Sequence, residues 1–263
     1  MNWLLRALFY VLFVRPFLFL VIGIVVKGKQ HLNTPEKFVL LANHNSHMDT
    51  IVLMSLFKVQ RLKHIHPVAA ADYFCANKAL NWFVTVFFNI LPINRKKFTR
   101  TDNPIDKMGE VLDAGDSLIL YPEGSRGEPE QMTKFNTGAG HLLEKHPNVK
   151  VIPVYMEGMG RILPKGAWYP VPFIGRVNIG EPRIYTGKAR AITAQLEADI
   201  LALHDEMHPE LAGKAGTGAA GSTVPPAAPV QAVPAAASNP AADMPSTPAA
   251  ATANESTPQN PVP

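Results

Sequence analysis

Short apolar runs alternate with stretches of helical spacing through the middle of the chain. The apolar runs predict strands at Phe38–Leu41, Pro67–Ala71, Leu91–Ile93, Ser117–Leu120, Val149–Val154 and Arg176–Ile179. The helical spacing predicts helices at Asp49–Phe57, Asn103–Ala114, Ala139–His146 and Ala191–His208, and the glycines and prolines of Gly158–Pro172 predict a loop. Since strands and helices alternate from Phe38 to Val154, the pattern predicts an α/β fold, a central β-sheet with helices packed on it.

The N-terminal stretch Trp3–Val26 is almost wholly apolar and is interrupted by Arg6 and by Arg15–Pro16. A secretory signal peptide would need a small-x-small cleavage site, which is missing before Lys27. The density of Leu, Phe and Val on every face argues against a core helix of this domain. A single spanning helix would place Arg15 in the middle of the bilayer, at a cost of about 2.5–3.5 kcal/mol on insertion scales. We therefore predict two short helices, broken near Arg15–Pro16, that lie in or dip into one leaflet; a transmembrane helix is the second alternative.

A second apolar stretch, Ala79–Ile90, contains the aromatic residues Trp82, Phe83, Phe87 and Phe88. Aromatic residues in a helix are most simply explained by packing in the core. The alternative is that they form a wall of an acyl-chain groove or a second surface that faces the membrane.

The composition changes beyond Leu211 to alanine, proline, serine, threonine and glycine, with almost no large apolar residues. Such a segment cannot bury enough apolar surface to offset the entropy lost on ordering, so we predict a disordered tail. The predicted organisation is therefore membrane-associating helices at 1–27, one globular domain at 28–210 and the tail at 211–263.

Charge and cysteine content narrow the classes of function. The chain has 25 Lys and Arg against 21 Asp and Glu, a net charge of +4, which suits anionic ligands and anionic membrane surfaces. It has no recognisable nucleic-acid motif and no long basic run, so we predict no nucleic-acid partner.

The single cysteine of the chain, Cys75, excludes an internal disulfide bond. The chain has no Walker loop or dinucleotide fingerprint, and its histidines lack the spacing of metal ligands, so we predict no metal and no cofactor.

A cluster of polar residues, Asn43–Asp49, follows the first predicted strand directly. Its His44 and Asp49 are the residue types of a general base and the carboxylate that orients it. The sequence offers this base no serine nucleophile, since Gly124–Gly127 lacks the Gly-x-Ser-x-Gly elbow, so the proton would come from a hydroxyl of the substrate. The alternative is structural: the spacing of Ser46 and Asp49 is also that of a capping box at the start of a helix.

A second polar cluster, Tyr121–Gly127, follows the strand predicted at Ser117–Leu120. Arg126 offers a planar fork to a phosphate, and the glycines would allow backbone N–H groups to approach an anion. The alternative is an ordinary Pro/Gly turn with a solvated Glu123 and Arg126.

Together the two clusters resemble the glycerolipid acyltransferase family, whose first motif is His-x4-Asp and whose third is Phe-Pro-Glu-Gly-Thr-Arg-Ser. His44 and Asp49 match the first. Tyr121–Gly127 resembles the third motif, with Tyr121 in place of Phe, Ser125 in place of Thr and Gly127 in place of the final Ser. The second and fourth motifs are similar to Leu91–Arg95 and Val151–Val154, and the whole likeness covers roughly Lys27 to Tyr185.

The resemblance implies a mixed sheet flanked by helices, and a reaction in which an acyl group passes from a thioester to a lipid hydroxyl. It implies catalytic roles for His44 and Asp49. It implies substrate contacts for Arg95, Glu123, Gly124, Ser125, Arg126, Lys134 and Gly138, with both arginines on a phosphate and Glu123 on the acceptor glycerol or on Arg126. The expected donor is acyl-CoA or acyl carrier protein, and the expected acceptor is 1-acyl-sn-glycerol 3-phosphate (lysophosphatidate), which would yield phosphatidic acid.

Other functions fit the same residues. One is the same chemistry on another lysolipid or on an amino-acid lipid. Another is a non-catalytic lipid-binding membrane protein, against which the intact His44–Asp49 pair argues. A thioester hydrolase would need a water in place of the acceptor hydroxyl. The expected location is a membrane, on the cytoplasmic face of the bacterial inner membrane.

Overall fold

The computed structural model describes residues 2–71, 78–94, 103–128, 131–163 and 169–212. Within them lies a seven-stranded sheet in the order β1-β7-β6-β2-β5-β3-β4, in which β6 and β7 are antiparallel and all other neighbours are parallel. The strands are Ile24–Lys27 (β1), Phe38–Ala42 (β2), Ile65–Ala70 (β3), Leu91–Ile93 (β4), Ser117–Leu120 (β5), Lys150–Glu157 (β6) and Gly175–Ile179 (β7). The α/β fold with a mixed sheet is thereby confirmed.

Helices cover both faces of this sheet. They are Asn2–Phe9 (α1), Arg15–Leu20 (α2), His47–Leu56 (α3), Lys78–Phe88 (α4), Pro104–Asp113 (α5), Gly138–Lys145 (α6), Met159–Ile162 (α7), Ala189–Met207 (α8) and Pro209–Ala212 (α9). Short 3₁₀ turns at Lys29–Leu32 and Val59–His64 precede β2 and β3, and α7 lies within the stretch predicted to be a loop.

The central strand β2 is buried along its whole length. Phe38 and Leu40 point to the face covered by α3 and the N-terminal helix, whereas Val39 and Leu41 point to the face covered by α5, α6 and α8. A strand of a parallel sheet is apolar on both sides when helices cover both faces, and this explains why the sequence shows a continuous apolar run here.

The N-terminal helix does not break at Arg15–Pro16, so this prediction is wrong. A π-helical segment, Tyr10–Val14, joins α1 to α2, and the chain stays helical from Asn2 to Leu20. Proline lacks an N–H and its ring crowds the carbonyl four residues earlier, and a wider turn ahead of Pro16 relieves both constraints.

One side of the N-terminal helix belongs to the domain core. Tyr10 and Val14 are buried there, whereas Phe13 and Phe19 on other sides are exposed. Among the described residues, Trp3–Leu20 is the one helix that is long and apolar enough to cross a membrane. The strand β1 that follows pairs with β7, so the sheet begins inside the segment 1–27 that we assign to membrane-associating helices. The residues from 213 onward, and so nearly all of the predicted tail, lie outside the described residues.

The two arginines of this apolar segment bind the ends of other helices. The Arg6 side chain is 4% exposed and donates hydrogen bonds to the carbonyls of Leu62, Thr85 and Val86 and to Oδ1 of Asn89. The last carbonyls of a helix have no partner within it, and Arg6 supplies one at the end of α4. Arg15 likewise donates to the carbonyls of Ser55 and Phe57 at the end of α3.

We expect Arg6→Leu to lower the free energy of unfolding by about 2–4 kcal/mol, because it leaves buried carbonyls without donors. Denaturant unfolding in detergent measures the loss. Arg190→Leu, at an exposed position of α8, is the control and should change it by less than about 0.5 kcal/mol. Equal effects of both substitutions would contradict the capping role of Arg6.

Candidate active site

The register of the sheet explains why two polar clusters distant in sequence meet. β2 and β5 are parallel neighbours, and Leu41 lies beside Leu120. Their carboxyl ends therefore stand at the same edge of the sheet, where parallel α/β proteins place their sites. Asn43 extends this edge, since its side-chain amide exchanges two hydrogen bonds with the backbone of Met156 on β6, at 2.8 and 2.7 Å.

His44 and Asp49 are in contact, as the sequence predicts. Nδ1 of His44 lies 2.8 Å from Oδ2 of Asp49, and the exposed fractions of the two side chains are 17% and 0%. A carboxylate only accepts hydrogen bonds, so Nδ1 carries the proton of the neutral ring. Nε2 then has the free lone pair, and it has no partner among the described residues.

The capping box also forms, so Asp49 both contacts His44 and caps α3. Oγ of Ser46 accepts the N–H of Met48 at 3.2 Å, and Oδ2 of Asp49 accepts the N–H groups of Asn45 and Ser46 at 2.8 and 2.9 Å. The oxygen that completes the cap of α3 is therefore the oxygen that holds His44. Within the described residues, Oδ1 of Asp49 is buried without a hydrogen-bond partner.

Tyr121 packs against the face of the His44 ring. The ring centroids are 4.1 Å apart and the planes differ by 19°. The phenol lies 2.8 Å from Oγ1 of Thr50, one helical turn into α3, and burial raises the pKa of Tyr121 well above its usual value. The imidazole is thus held by a carboxylate at its edge and by a neutral ring on its face.

Glu123 is buried and bonds to the chain itself. Its Oε1 accepts the backbone N–H of His44 at 2.8 Å, and its Oε2 accepts the N–H and the hydroxyl of Thr133 at 2.9 and 2.7 Å. Of the two predicted partners, Arg126 is not bonded to Glu123, and the contact with the acceptor glycerol stays a prediction. A side chain 5% exposed reaches neighbouring backbone more readily than a ligand. Glu123 therefore fixes the backbone of His44 against the segment around Thr133.

We expect Glu123→Gln to lower the free energy of unfolding by about 2–4 kcal/mol. Both oxygens of Glu123 accept hydrogen bonds, and the NH2 group of a glutamine would face a donor in place of one of these oxygens. Thr133→Val removes one hydroxyl bond and should cost about 1 kcal/mol. The exposed Glu128→Gln is the control. If all three variants unfold at the same denaturant concentration, Glu123 has no such structural role.

Gly124 and Gly127 allow the loop to pack closely against neighbouring backbone. The N–H of Gly124 donates to the carbonyl of Tyr121, and that of Gly127 donates to the carbonyl of His44, both at 3.0 Å. The predicted use of the Gly124 N–H on an anion therefore does not agree with the structure. A Cβ on Gly127 would lie 2.9 Å from the carbonyl oxygen of Gln131, which explains the lack of a side chain there. Gly124 has φ +74° and needs glycine for its left-handed backbone.

Arg126 is the one positively charged side chain of the loop. Its guanidinium makes no hydrogen bond or ion pair with any described residue, and its side chain is half-buried. It lies near enough to His47 to act on that ring: burial, then the charges of Arg126 and His44, lower the pKa of His47 to about 4, against the opposing charge of Asp49. His47 is consequently neutral at pH 7. The neighbouring Ser125 is exposed.

Two further residues predicted to contact the substrate, Lys134 and Gly138, lie in the segment that follows the loop. Lys134 is exposed, and Gly138 is the first residue of α6. Their segment is tied to the loop by Asn136, whose backbone N–H donates to the carbonyl of Pro122 and whose side-chain amide donates to that of Glu123. Arg95 lies outside the described residues.

Sequence reasoning missed Asn43, Thr50, Thr133 and Asn136. Each is a small polar residue that bonds to backbone or to one side chain far away in sequence, and single residues of this kind carry no pattern. Only the position of Asn43 at a strand end gave a signal. No group of three or more His, Cys, Asp or Glu residues in the described part of the chain could hold a metal ion.

Comparison with known proteins identifies a family and several similar proteins. The model of the family described as Acyltransferase matches residues 23–157, which is just over half of the chain. A 1-acyl-sn-glycerol-3-phosphate acyltransferase alpha from Ovis aries is 29% identical over 142 residues, which are 52% of this chain and 45% of that protein. A 1-acyl-sn-glycerol-3-phosphate acyltransferase from Pseudomonas aeruginosa is 27% identical over 62% of this chain and 61% of its own length. The chain therefore spans less than two thirds of these relatives.

The fold has a counterpart among solved structures. The crystal structure of the 1-acyl-sn-glycerophosphate acyltransferase PlsC from Thermotoga maritima superposes with a TM-score of 0.61, over 78% of this chain and 80% of that one. The sequences are 21% identical, so this likeness concerns the fold.

Proposed function

Because the chain belongs to the acyltransferase family, we propose that it is an enzyme that transfers a fatty acyl group from a thioester to 1-acyl-sn-glycerol 3-phosphate, giving phosphatidic acid. The observation that carries the proposal is the 2.8 Å contact between His44 and Asp49, which leaves Nε2 of the histidine without a partner among the described residues. The names of the relatives support the choice of acceptor.

In the proposed reaction the acceptor hydroxyl gives its proton to Nε2 of His44 while its oxygen attacks the thioester carbonyl. Asp49 stabilises the imidazolium that forms and keeps the ring in position. The tetrahedral intermediate then collapses, the C–S bond breaks, and the thiolate takes the proton back from His44. Because no protein nucleophile takes part, acceptor and donor bind together, and most of the rate comes from placing them correctly.

Arg126 is the group that we propose for the acceptor phosphate, because it is a guanidinium near the base with no partner among the described residues. Arg95 takes the same role on the strength of its match to the second family motif. Ser125, Lys134 and Gly138 are proposed secondary contacts, whereas Glu123 and Gly124 act by shaping the loop. The proposed donor is acyl-CoA or acyl carrier protein, and no other cofactor enters the reaction.

The exposed apolar side of the N-terminal helix supports a place at the membrane, where the lysolipid is found. Leu12, Phe13, Phe19 and Leu20 are each more than half exposed, and Trp82 on α4 is 61% exposed. Trp82 and Phe83 thus fit the prediction of a membrane-facing surface, whereas Phe88 on the same helix is buried. We propose the cytoplasmic face of the bacterial inner membrane.

Acceptor dependence tests the function. Thiol release from acyl-CoA and from acyl carrier protein is measured in detergent with lysophosphatidate, with lysophosphatidylcholine and without an acceptor. Release that requires lysophosphatidate supports the proposal. Release with another lysolipid indicates the same chemistry on another acceptor, and release without any indicates a hydrolase. No release from either donor would favour a lipid-binding protein.

Arg126→Ala should raise KM for lysophosphatidate by about 10- to 100-fold, since it removes a charge-assisted contact to the phosphate. KM for the acyl donor should stay within about threefold, because the substitution removes a contact to the acceptor alone. Arg190→Ala is the control for the loss of one positive charge. A change confined to kcat would place Arg126 away from the phosphate.

A further inference from the structure

A groove of about 1320 Å³ lies between the N-terminal helix, β1, the turn before β2 and the end of α3. Its lining includes none of His44, Asp49, Tyr121, Glu123 and Arg126. Helix α3 starts beside the candidate active site and its ten residues cover about 15 Å before Leu56 reaches the groove. Pro35 in the groove wall precedes β2, whereas His44 follows it. The groove is therefore a separate site.

Four cationic side chains line the groove, and the lining contains no Asp or Glu. Arg15 and Arg61 are held in place by backbone carbonyls at the end of α3 and in the turn before β2. Lys29 and Lys58 are exposed, and their ammonium groups make no hydrogen bond or ion pair with described residues. Cations gathered without a carboxylate favour an anionic ligand.

The wall between these cations is apolar. Leu18, Ile22 and Leu32 line it and are almost fully buried, at 6, 0 and 4% exposed. Phe19 and Ile174 also line the groove but are 86 and 59% exposed, so its apolar wall is continuous with the exposed apolar surface of the N-terminal segment. A ligand that fits must carry both an anionic group and a long apolar group.

We propose that the groove binds an anionic phospholipid of the membrane, with the phosphate at Lys29 and Lys58 and one acyl chain against the exposed side chains of Phe19 and Ile174. A free phosphate would leave the apolar wall without a partner. A zwitterionic headgroup would bring a cation to a lining that contains no carboxylate. The lipid would hold the domain at the bilayer, and its binding does not depend on the acyl-transfer reaction.

Vesicle flotation of the full chain tests the preference for charge. Vesicles of phosphatidylcholine alone are compared with vesicles that also contain phosphatidylglycerol, for the wild type and for Lys29→Ala/Lys58→Ala. The wild type should prefer the anionic vesicles, and the double variant should lose about tenfold or more of that preference. It should bind phosphatidylcholine vesicles as the wild type does, through the unchanged apolar surface.

The matched control is Lys63→Ala/Arg190→Ala, which removes two exposed positive charges that do not line the groove. It should keep the preference of the wild type, whereas a diffuse attraction to the surface would weaken in both double variants. An equal loss in the control, or an unchanged preference in the groove variant, would overturn the proposal. Equal unfolding midpoints of the three proteins show that all are folded.

A soluble lipid tests for a discrete site. Dihexanoyl phosphatidylglycerol below its micellar concentration should bind the wild type with saturation in calorimetry, bind Arg126→Ala equally well, and bind the groove variant about tenfold more weakly. Dihexanoyl phosphatidylcholine and inorganic phosphate should bind much more weakly than phosphatidylglycerol. Binding that disappears in Arg126→Ala would assign the lipid to the active site instead, and phosphate binding of equal strength would make the groove a simple anion site.

Discussion

His44→Ala is expected to lower kcat by about 10²–10⁴-fold, because the acceptor hydroxyl then loses the base that accepts its proton. KM for both substrates should change by less than about threefold, because the loss of an interaction made only in the transition state lowers kcat and leaves substrate binding unchanged. The measurement is steady-state thiol release with lysophosphatidate and acyl-CoA in detergent.

His141→Ala is the control, since His141 is an exposed histidine on α6, and it should react at the rate of the wild type. The unfolding midpoint of His44→Ala should stay close to that of the wild type, because the Asp49 carboxylate keeps its two backbone N–H donors. A variant that is folded and retains more than about a tenth of the activity would contradict the role of His44 as the base.

Asp49→Asn separates the two tasks of this residue. The amide oxygen can accept the N–H groups of Asn45 and Ser46, so the cap of α3 persists and the free energy of unfolding should fall by only about 1–2 kcal/mol. The same oxygen can still accept the Nδ1–H of His44, but a neutral amide cannot stabilise the imidazolium that forms when the ring takes up the proton. We therefore expect kcat to fall by about 10²–10⁴-fold.

Asp49→Ala removes both the cap of α3 and the contact to His44, so this variant should be inactive and less stable than Asp49→Asn. Ser46→Ala is the reverse control, since it removes the other half of the capping box and should cost about 1 kcal/mol of stability with a smaller loss of rate. If Asp49→Asn lost stability and rate in proportion to Ser46→Ala, then Asp49 would serve the helix alone.

The loop Tyr121–Gly127 holds the backbone of His44 through one side chain and one backbone group. Glu123 accepts the N–H of His44, and the N–H of Gly127 donates to the carbonyl of the same residue. Both sides of the His44 peptide are thus held by one loop on the neighbouring strand. The Arg126 guanidinium makes no hydrogen bond or ion pair with the described residues, which is why we propose it for the acceptor phosphate.

The sequence by itself determined the alternation of strands and helices, and it located the two polar clusters that follow β2 and β5. These follow from local rules: buried strands of a parallel sheet are continuous apolar runs, and a capping box has a fixed spacing. The contact of His44 with Asp49 was predictable for the same reason, because a cap places residues a few positions apart within reach of each other.

Only the tertiary structure decided what Glu123, Arg6 and Pro16 do. Glu123 meets His44 because β2 and β5 are neighbours in register, and Thr133 because the segment 131–136 folds back on the loop. Arg6 is tolerated in an apolar helix because the end of α4 presents carbonyls to it. Pro16 does not break the helix because a π-helical segment precedes it. Each outcome depends on a partner distant in sequence or on a compensating backbone geometry, and a local pattern contains neither.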